Sequence, residues 1–449
     1  MSFTPLDSTL YGPLFSCPPV SELFSDARQL GYMVEVEAAL AAAQGRLGVI
    51  PAGATEAITQ GAVTFQPDFL KLREGVAQDG FPIIALLAQL RAALPDEAAE
   101  FVHWGATTQD IMDTALVLTL RDALEVMEGS LRLLIERLAG RADEHRHTLM
   151  AGRTHSQQAL PMTFGLKVAG WLAPLIRHLQ RLRELRPRLL VVQFGGAAGT
   201  LAALGGDGLR VRAELARELR LGEPPLPWHT GRDNLAELAG WLSGVTGSLG
   251  KLGQDIILLA QSEVAEVRES GDRARGGSST MPQKSNPIGS ELLVAAARMN
   301  ATLLSGVHQA MIQEHERGTH GWQLEWLNLP QMVGLTAASL ERAAGLTADL
   351  FVDEARMEEN IRRSGGLMMA EAITFALAGP LGRQRAKALV KEAVPVAIQE
   401  RRPLVDVLRE RVDAPVDWDA LTERHYLGTT NDMIDAVLKS AAEHTGRTP

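Results

Sequence analysis

The chain has 449 residues, 46% hydrophobic and 22% charged, with 44 Lys+Arg against 54 Asp+Glu and a formal net charge of -10. At roughly 100–200 residues per domain, that length excludes a single small module. The acidic balance supplies no overall basic field for nucleic acid or an anionic membrane, although a local cluster of cations would still suit a small acidic ligand.

Cys17 is the only cysteine, which forbids an intrachain disulfide and any cysteine-ligated metal cluster. The first twenty residues carry four prolines and read as neither signal peptide nor anchor. Every apolar run is broken by charge short of the ~18 residues that a membrane span needs, so the expected compartment is the cytoplasm, with no membrane partner. Aromatics are scarce at 5% while Ala, Leu, Arg and Glu dominate, and propensity therefore favours helices throughout.

Up to about Asp113 the chain predicts short helices broken at Pro51, Pro67, Pro82 and Pro95. Thr114 to Met150 has no proline and repeats Leu116, Leu120, Ala123, Met127, Leu131, Leu134 and Leu138, a long helix capped by the Thr and Asp residues around Thr107–Thr114. Pro161 to Pro187 predicts a further helix kinked at Pro174, and Leu189 to Phe194 is the best strand candidate. Between Asp233 and Arg268, Leu235, Leu238, Leu242, Val245, Leu249, Leu252, Ile256 and Leu259 form a heptad seam. Beside that seam run Gly240, Gly244, Gly247, Gly250 and Gly253, which invite close helix approach. Ser290 to Glu316 predicts a fourth helix. After Val352 the elements shorten, with breaks at Gly365-Gly366, Gly379-Pro380 and Pro403.

The expectation is an all-α protein in three parts: an N-terminal helical domain over 1–112, a central long-helix bundle over 113–352 with a loop at 271–290, and a C-terminal helical domain over 353–449. Helices on the order of 50 Å long outgrow one compact domain, so homo-oligomerisation follows from length and seam.

Three segments have the makings of chemistry. In Gly271–Ser290, paired glycines precede Ser278 and Ser279, with Lys284 and Asn286 following, so hydroxyls, amides and a cation can converge on an anion. Gly152-Arg153-Thr154-His155 offers an acid/base group beside a cation. His103-Trp104-Gly105-Ala106-Thr107-Thr108-Gln109-Asp110 leads into a helix start suited to a carboxylate. Phe194–Thr200 is glycine-rich without a dinucleotide pattern, and neither a P-loop nor an H-E-x-x-H zinc motif occurs, so neither a metal nor a cofactor is expected.

Gly277-Ser278-Ser279-Thr280-Met281-Pro282-Gln283-Lys284-Ser285-Asn286-Pro287 resembles the G-S-S-x-M-P-x-K-x-N-P signature of the fumarase/aspartase superfamily, and Thr107–Asp110 and Thr154-His155 fall in order where its other two site segments lie. The resemblance spans essentially the whole chain and implies a three-domain helical protomer, a homotetramer and sites shared between subunits. Leu160–Lys167, Ala169-Gly170-Trp171, Arg186–Leu190, Gln193–Gly196, Pro227-Trp228-His229-Thr230, Gln313–Arg317 and Gly321–Trp326 resemble its lactonising cycloisomerases. That resemblance implies a polycarboxylate substrate, with Ser278, His155, Lys284 and Asn286 catalytic. Substrate binding would fall to Thr107, Thr108, Arg153, Thr154, Ser279, Arg232 and Arg317. Trp322 and Trp326 stand where relatives acting on nucleotides keep phosphate donors, which argues against a phosphate. A fumarate-forming lyase of a succinyl adduct and a non-catalytic helical scaffold are the alternatives.

Overall fold

The computed structural model describes residues 4–270, 281 and 284–446. It is built from helices, with two antiparallel two-stranded sheets among the described residues. The prolines of the N-terminal region act as predicted. Pro51 and Pro82 immediately precede the helices Ala52–Thr64 and Ile83–Ala92, and Pro67 stands two residues before Phe69–Asp79.

Five long helices follow: α1 Thr108–Glu144, α2 Phe164–Leu189, α3 Asp233–Leu259, α4 Ile288–Ala310 and α5 His320–Asp349. All eight seam residues of α3, from Leu235 to Leu259, are buried. Asn300 of α4 links to α5, donating from Nδ2 to Thr336 Oγ1 at 3.0 Å and to the Met332 carbonyl at 3.3 Å.

The chain divides into two compact units. The first comprises residues 1–130, 178–247 and 296–341. Its core packs Tyr32, Val36, Leu40 and Ala43 of the Asp26–Arg46 helix with Ile58 of Ala52–Thr64 and Val211, Leu215 and Leu219 of Gly208–Leu219. The second comprises 131–177, 248–295 and 342–449. There Ile373, Leu377, Ala386, Val390, Leu404 and Val407 join the Ala370–Leu381, Arg383–Glu400 and Leu404–Arg409 helices.

Several expectations are corrected. Helix α1 begins at Thr108 and stops at Glu144, and Leu149–Thr154 is a strand, β1, paired with β2, Gln157–Thr163. Helix α2 therefore starts at Phe164 rather than near Pro161, and it continues through Pro174. Buried apolar residues at Leu149, Met150 and Ala151 suit a helix or a covered strand equally well, so periodicity alone misassigned them.

The turn back is fixed locally. Phe164 N–H donates to the Thr148 carbonyl at 2.8 Å, and Gly165 N–H to that of His145 at 2.9 Å. Leu189–Phe194 is no strand; Leu189 ends α2, and only an isolated parallel bridge joins Val191 to Gly222. Helix α3 ends at Leu259 instead of running toward Arg268, α4 ends at Ala310 instead of Glu316, and α5 carries Pro330 inside it. Gly379-Pro380 lies within a helix whose true end is Gly382, at φ +81°.

Candidate active site

The Thr107-Thr108 segment lies in the first unit, at the N-terminus of α1. Asp113 and Thr114 are not its caps, because both side chains are spent on tertiary bonds. Thr114 Oγ1 accepts from Gln193 N–H at 3.0 Å and donates to the Gln193 carbonyl at 2.9 Å. Asp113 receives Arg232 and the Trp322 indole N–H. The terminal turn is closed by Asp110, whose Oδ2 accepts Thr107 N–H at 3.0 Å. Thr107 Oγ1 accepts from an Arg317 Nη1 donor. Among the described residues no carboxylate forms an ion pair with Arg317, so a half-buried guanidinium and a hydroxyl meet at the positive end of a long helix. Thr108 is half-buried beside them in sequence.

Arg232 is placed otherwise than expected. Nε and Nη2 donate to Glu325 at 2.8 and 2.5 Å, Nη1 and Nη2 to Asp113 at 2.6 and 3.1 Å, and Nη1 to the Trp228 carbonyl at 3.4 Å. These bonds use all five N–H groups. Its guanidinium also stacks on the Trp228 ring. Burial works against the charge, but Asp113 and Glu325 outweigh it and raise the pKa of Arg232 above its ordinary value. Burial pushes the Glu325 carboxyl up against the pull of that arginine. Arg232 is therefore a core ion-pair residue, with no donor left for a substrate.

In the second unit, His155 and Ser156 form the two-residue tip of the β1–β2 hairpin, both left-handed at φ +48° and +64°. This is the I′ geometry that suits the strands' twist but costs non-glycine residues strain. The price is incurred at an exposed tip, and strain held at such a place points to function. Thr154 is also exposed.

Arg153, next to the tip, is another correction. Its Nη1 and Nη2 donate to Glu266 at 2.9 and 2.6 Å, and Glu266, fully buried, also accepts from Asn360 at 2.8 Å. Its charge is neutralised where it stands, and it anchors the hairpin. Sequence reasoning overlooked Lys167, one turn into α2, whose Nζ lies 3.9 Å from Asp255. Burial depresses its pKa, against the opposing pull of that carboxylate.

Ser278 and Ser279 lie outside the described residues. Lys284 is exposed and Asn286 half-buried, and neither is hydrogen-bonded through its side chain to His155. Just beyond them Glu269 accepts Gly289 N–H at 3.0 Å and Ser290 N–H at 2.6 Å, satisfying donors at the start of α4. Of the expected set, the structure thus brings Thr107 and Arg317 together and withdraws Arg153 and Arg232.

A predominantly helical chain with long central helices, a threonine pair at one helix start and a histidine-tipped hairpin has the fumarase/aspartase class of fold. A family model described as lyase matches residues 16–299, and the chain belongs to that family. It is 47% identical over 444 residues to the 3-carboxy-cis,cis-muconate cycloisomerase of Pseudomonas aeruginosa, covering 97% of this chain and 96% of the relative. A protein of the same description from Acinetobacter baylyi is 41% identical, covering 97% and 99%. The crystal structure of the 3-carboxy-cis,cis-muconate lactonizing enzyme from Pseudomonas putida superposes with a TM-score of 0.92 at 42% identity, covering 98% of this chain and 100% of that one.

Proposed function

We propose that this chain is a cytoplasmic 3-carboxy-cis,cis-muconate cycloisomerase, closing 4-carboxymuconolactone in the protocatechuate branch of the β-ketoadipate pathway. The observation that carries the reading is end-to-end likeness at 47% identity to a protein of that activity, because the motif segments alone are common to lyases of many substrates. Trp322 and Trp326, packed on Phe81 with ring centroids 5.4 and 6.0 Å from it, add bulk unsuited to a phosphate.

A substrate carboxylate oxygen adds to one carbon of its own conjugated double bond. The π electrons move to the neighbouring carbon and into an adjacent carboxylate, and that carbon then takes a proton. One C–O bond forms, one C=C bond is lost, and a trianion plus a proton becomes a dianion. The hard species is the doubly charged aci-carboxylate, which fixed donors and cations stabilise most in a dry site. Ser278 delivers the proton, with Ser279 the fallback, and Lys284 and Asn286 support its alkoxide. The attacking carboxylate needs no deprotonation, so His155 orients and binds. Thr107, Thr108, Thr154 and Arg317 hold the remaining carboxylates.

The working assembly in this reading is a homotetramer, with domains over 1–112, 113–352 and 353–449 and sites drawn from more than one subunit. Gly240 and Gly247 on α3 support it: no described atom stands within 4 Å of where a Cβ would be, leaving their backbones open to a neighbouring helix.

The deciding experiment is incubation of the purified chain with 3-carboxy-cis,cis-muconate. Lactonisation removes the diene's ultraviolet absorbance, whereas a succinyl-adduct lyase leaves it and generates fumarate from argininosuccinate. An inert scaffold does neither.

A further inference from the structure

We propose that Asp110 and His229 are positioning residues for substrate binding, a buried carboxylate–imidazole clamp that holds the Thr107–Arg317 pair in its anion-binding geometry. The inference rests on the reading just given and adds two residues that the family motif and the mechanism leave without a task.

Asp110 is the third residue of α1 and Thr107 its N-cap. In the usual reciprocal capping arrangement the N-cap hydroxyl bonds the third residue's N–H, while that residue's side chain bonds the N-cap N–H. Here only the second half is made. The Asp110 carboxylate takes the Thr107 N–H, and Asp110 N–H goes to the Thr107 carbonyl at 3.0 Å. The threonine hydroxyl is thereby released from capping and is held by Arg317 instead. A carboxylate that caps for the threonine is what frees the threonine.

The carboxylate is itself immobilised. Oδ1 accepts Gly195 N–H at 2.9 Å and lies 2.7 Å from His229 Nε2, and Oδ2 accepts Gly196 N–H at 2.9 Å besides Thr107. His229 in turn is fixed by Gln109, whose Nε2 donates to its carbonyl at 2.9 Å. Glycine is required opposite: a Cβ on Gly195 would stand 2.7 Å from Pro227 and 2.9 Å from the His229 ring, and Gly196 is left-handed at φ +68°. An aspartate–histidine pair invites reading as an acid/base dyad. Burial forbids it: Asp110 is 0% and His229 3% exposed, so neither reaches the reacting atoms. The pair acts through Thr107.

The test compares His229→Leu, which removes the donor to Asp110, with His229→Gln, whose Nε2 can replace it, and with Asp110→Asn, which sets an amide NH2 against N–H donors on one side. Steady-state kinetics on the muconate should show KM raised at least tenfold in His229→Leu and Asp110→Asn, with kcat within threefold, because the lost interaction binds ground and transition states alike. His229→Gln should restore KM to within threefold of wild type. A purely structural role would lower the melting temperature and the active fraction without moving KM. The proposal fails if KM is unmoved in His229→Leu, or if His229→Gln is as impaired as His229→Leu. Competition by citrate, read by calorimetry, gives the same ordering without turnover. A wild-type chain inert toward the muconate sinks the functional reading, and the citrate affinities still decide the clamp.

Discussion

Replacing Arg232 with methionine tests the claim that this residue belongs to the core and not to the substrate. The substitution keeps length and apolar volume but strips four hydrogen bonds from two buried carboxylates and a fifth from the Trp228 carbonyl. Asp113 retains the Trp322 indole N–H at 3.0 Å, while Glu325 loses every bond described for it. Removing one partner of a buried ion pair costs about 3–5 kcal/mol, because the orphaned charge is left without water. Set against a typical total of about 5–15 kcal/mol, that is a large share.

The effect has a pH signature. With the cation gone, the pull that opposes burial at Glu325 is lost, so its already raised folded-state pKa moves further above its unfolded value and the folded form binds more protons between the two. Stability then falls as pH rises through that window. Arg232→Met should therefore be more impaired at pH 8 than at pH 5. Urea denaturation followed by far-ultraviolet circular dichroism, at one fixed protein concentration, measures both quantities. A loss below about 1 kcal/mol, with stability independent of pH relative to wild type, would refute the reasoning on which a saturated, buried cluster was assigned.

Ser278→Ala should elute from size-exclusion chromatography as the wild type does and lose turnover of the muconate by orders of magnitude; near-wild-type activity removes Ser278 from the mechanism. Arg317→Ala deletes a charge-assisted donor worth about 1.5–3 kcal/mol, so KM should rise roughly 10–100-fold, and an unchanged KM places the substrate elsewhere. Lys167 has a folded pKa below its unfolded one, so its unfolded form binds the extra proton and stability rises with pH between those two values. Lys167→Met should abolish that alkaline rise in melting temperature and raise the midpoint at neutral pH; a lowered midpoint would show that the ammonium is held by more than Asp255.

Long-range order was readable where the physics is local. The heptad of α3 had to be buried because one helical stripe repeats every three or four residues, and Pro51, Pro67 and Pro82 stand just before helix starts, where a missing N–H donor breaks no helical bond. The signature around Lys284 and Asn286, and the Thr107 and His155 segments, were legible as residue types in order. The hairpin was not, since Leu149–Ala151 is as apolar as a helix stripe and its strand identity comes from pairing with β2. Nor was α5, interrupted in sequence by Pro330.

The sequence by itself determined the class of element, the positions of the motifs and the residue types available to bind a polycarboxylate. Only the tertiary structure decided which of those charges are free. Arg153, Arg232 and Arg317 look alike along the chain. Yet Glu266 neutralises the first from 113 positions away, and Asp113 and Glu325 enclose the second from 119 and 93 positions away. The third, among the described residues, meets a threonine hydroxyl and no carboxylate. Coulomb attraction acts through space and depends on burial, and neither the distance nor the burial of a distant pair is written in the spacing of one strand of residues.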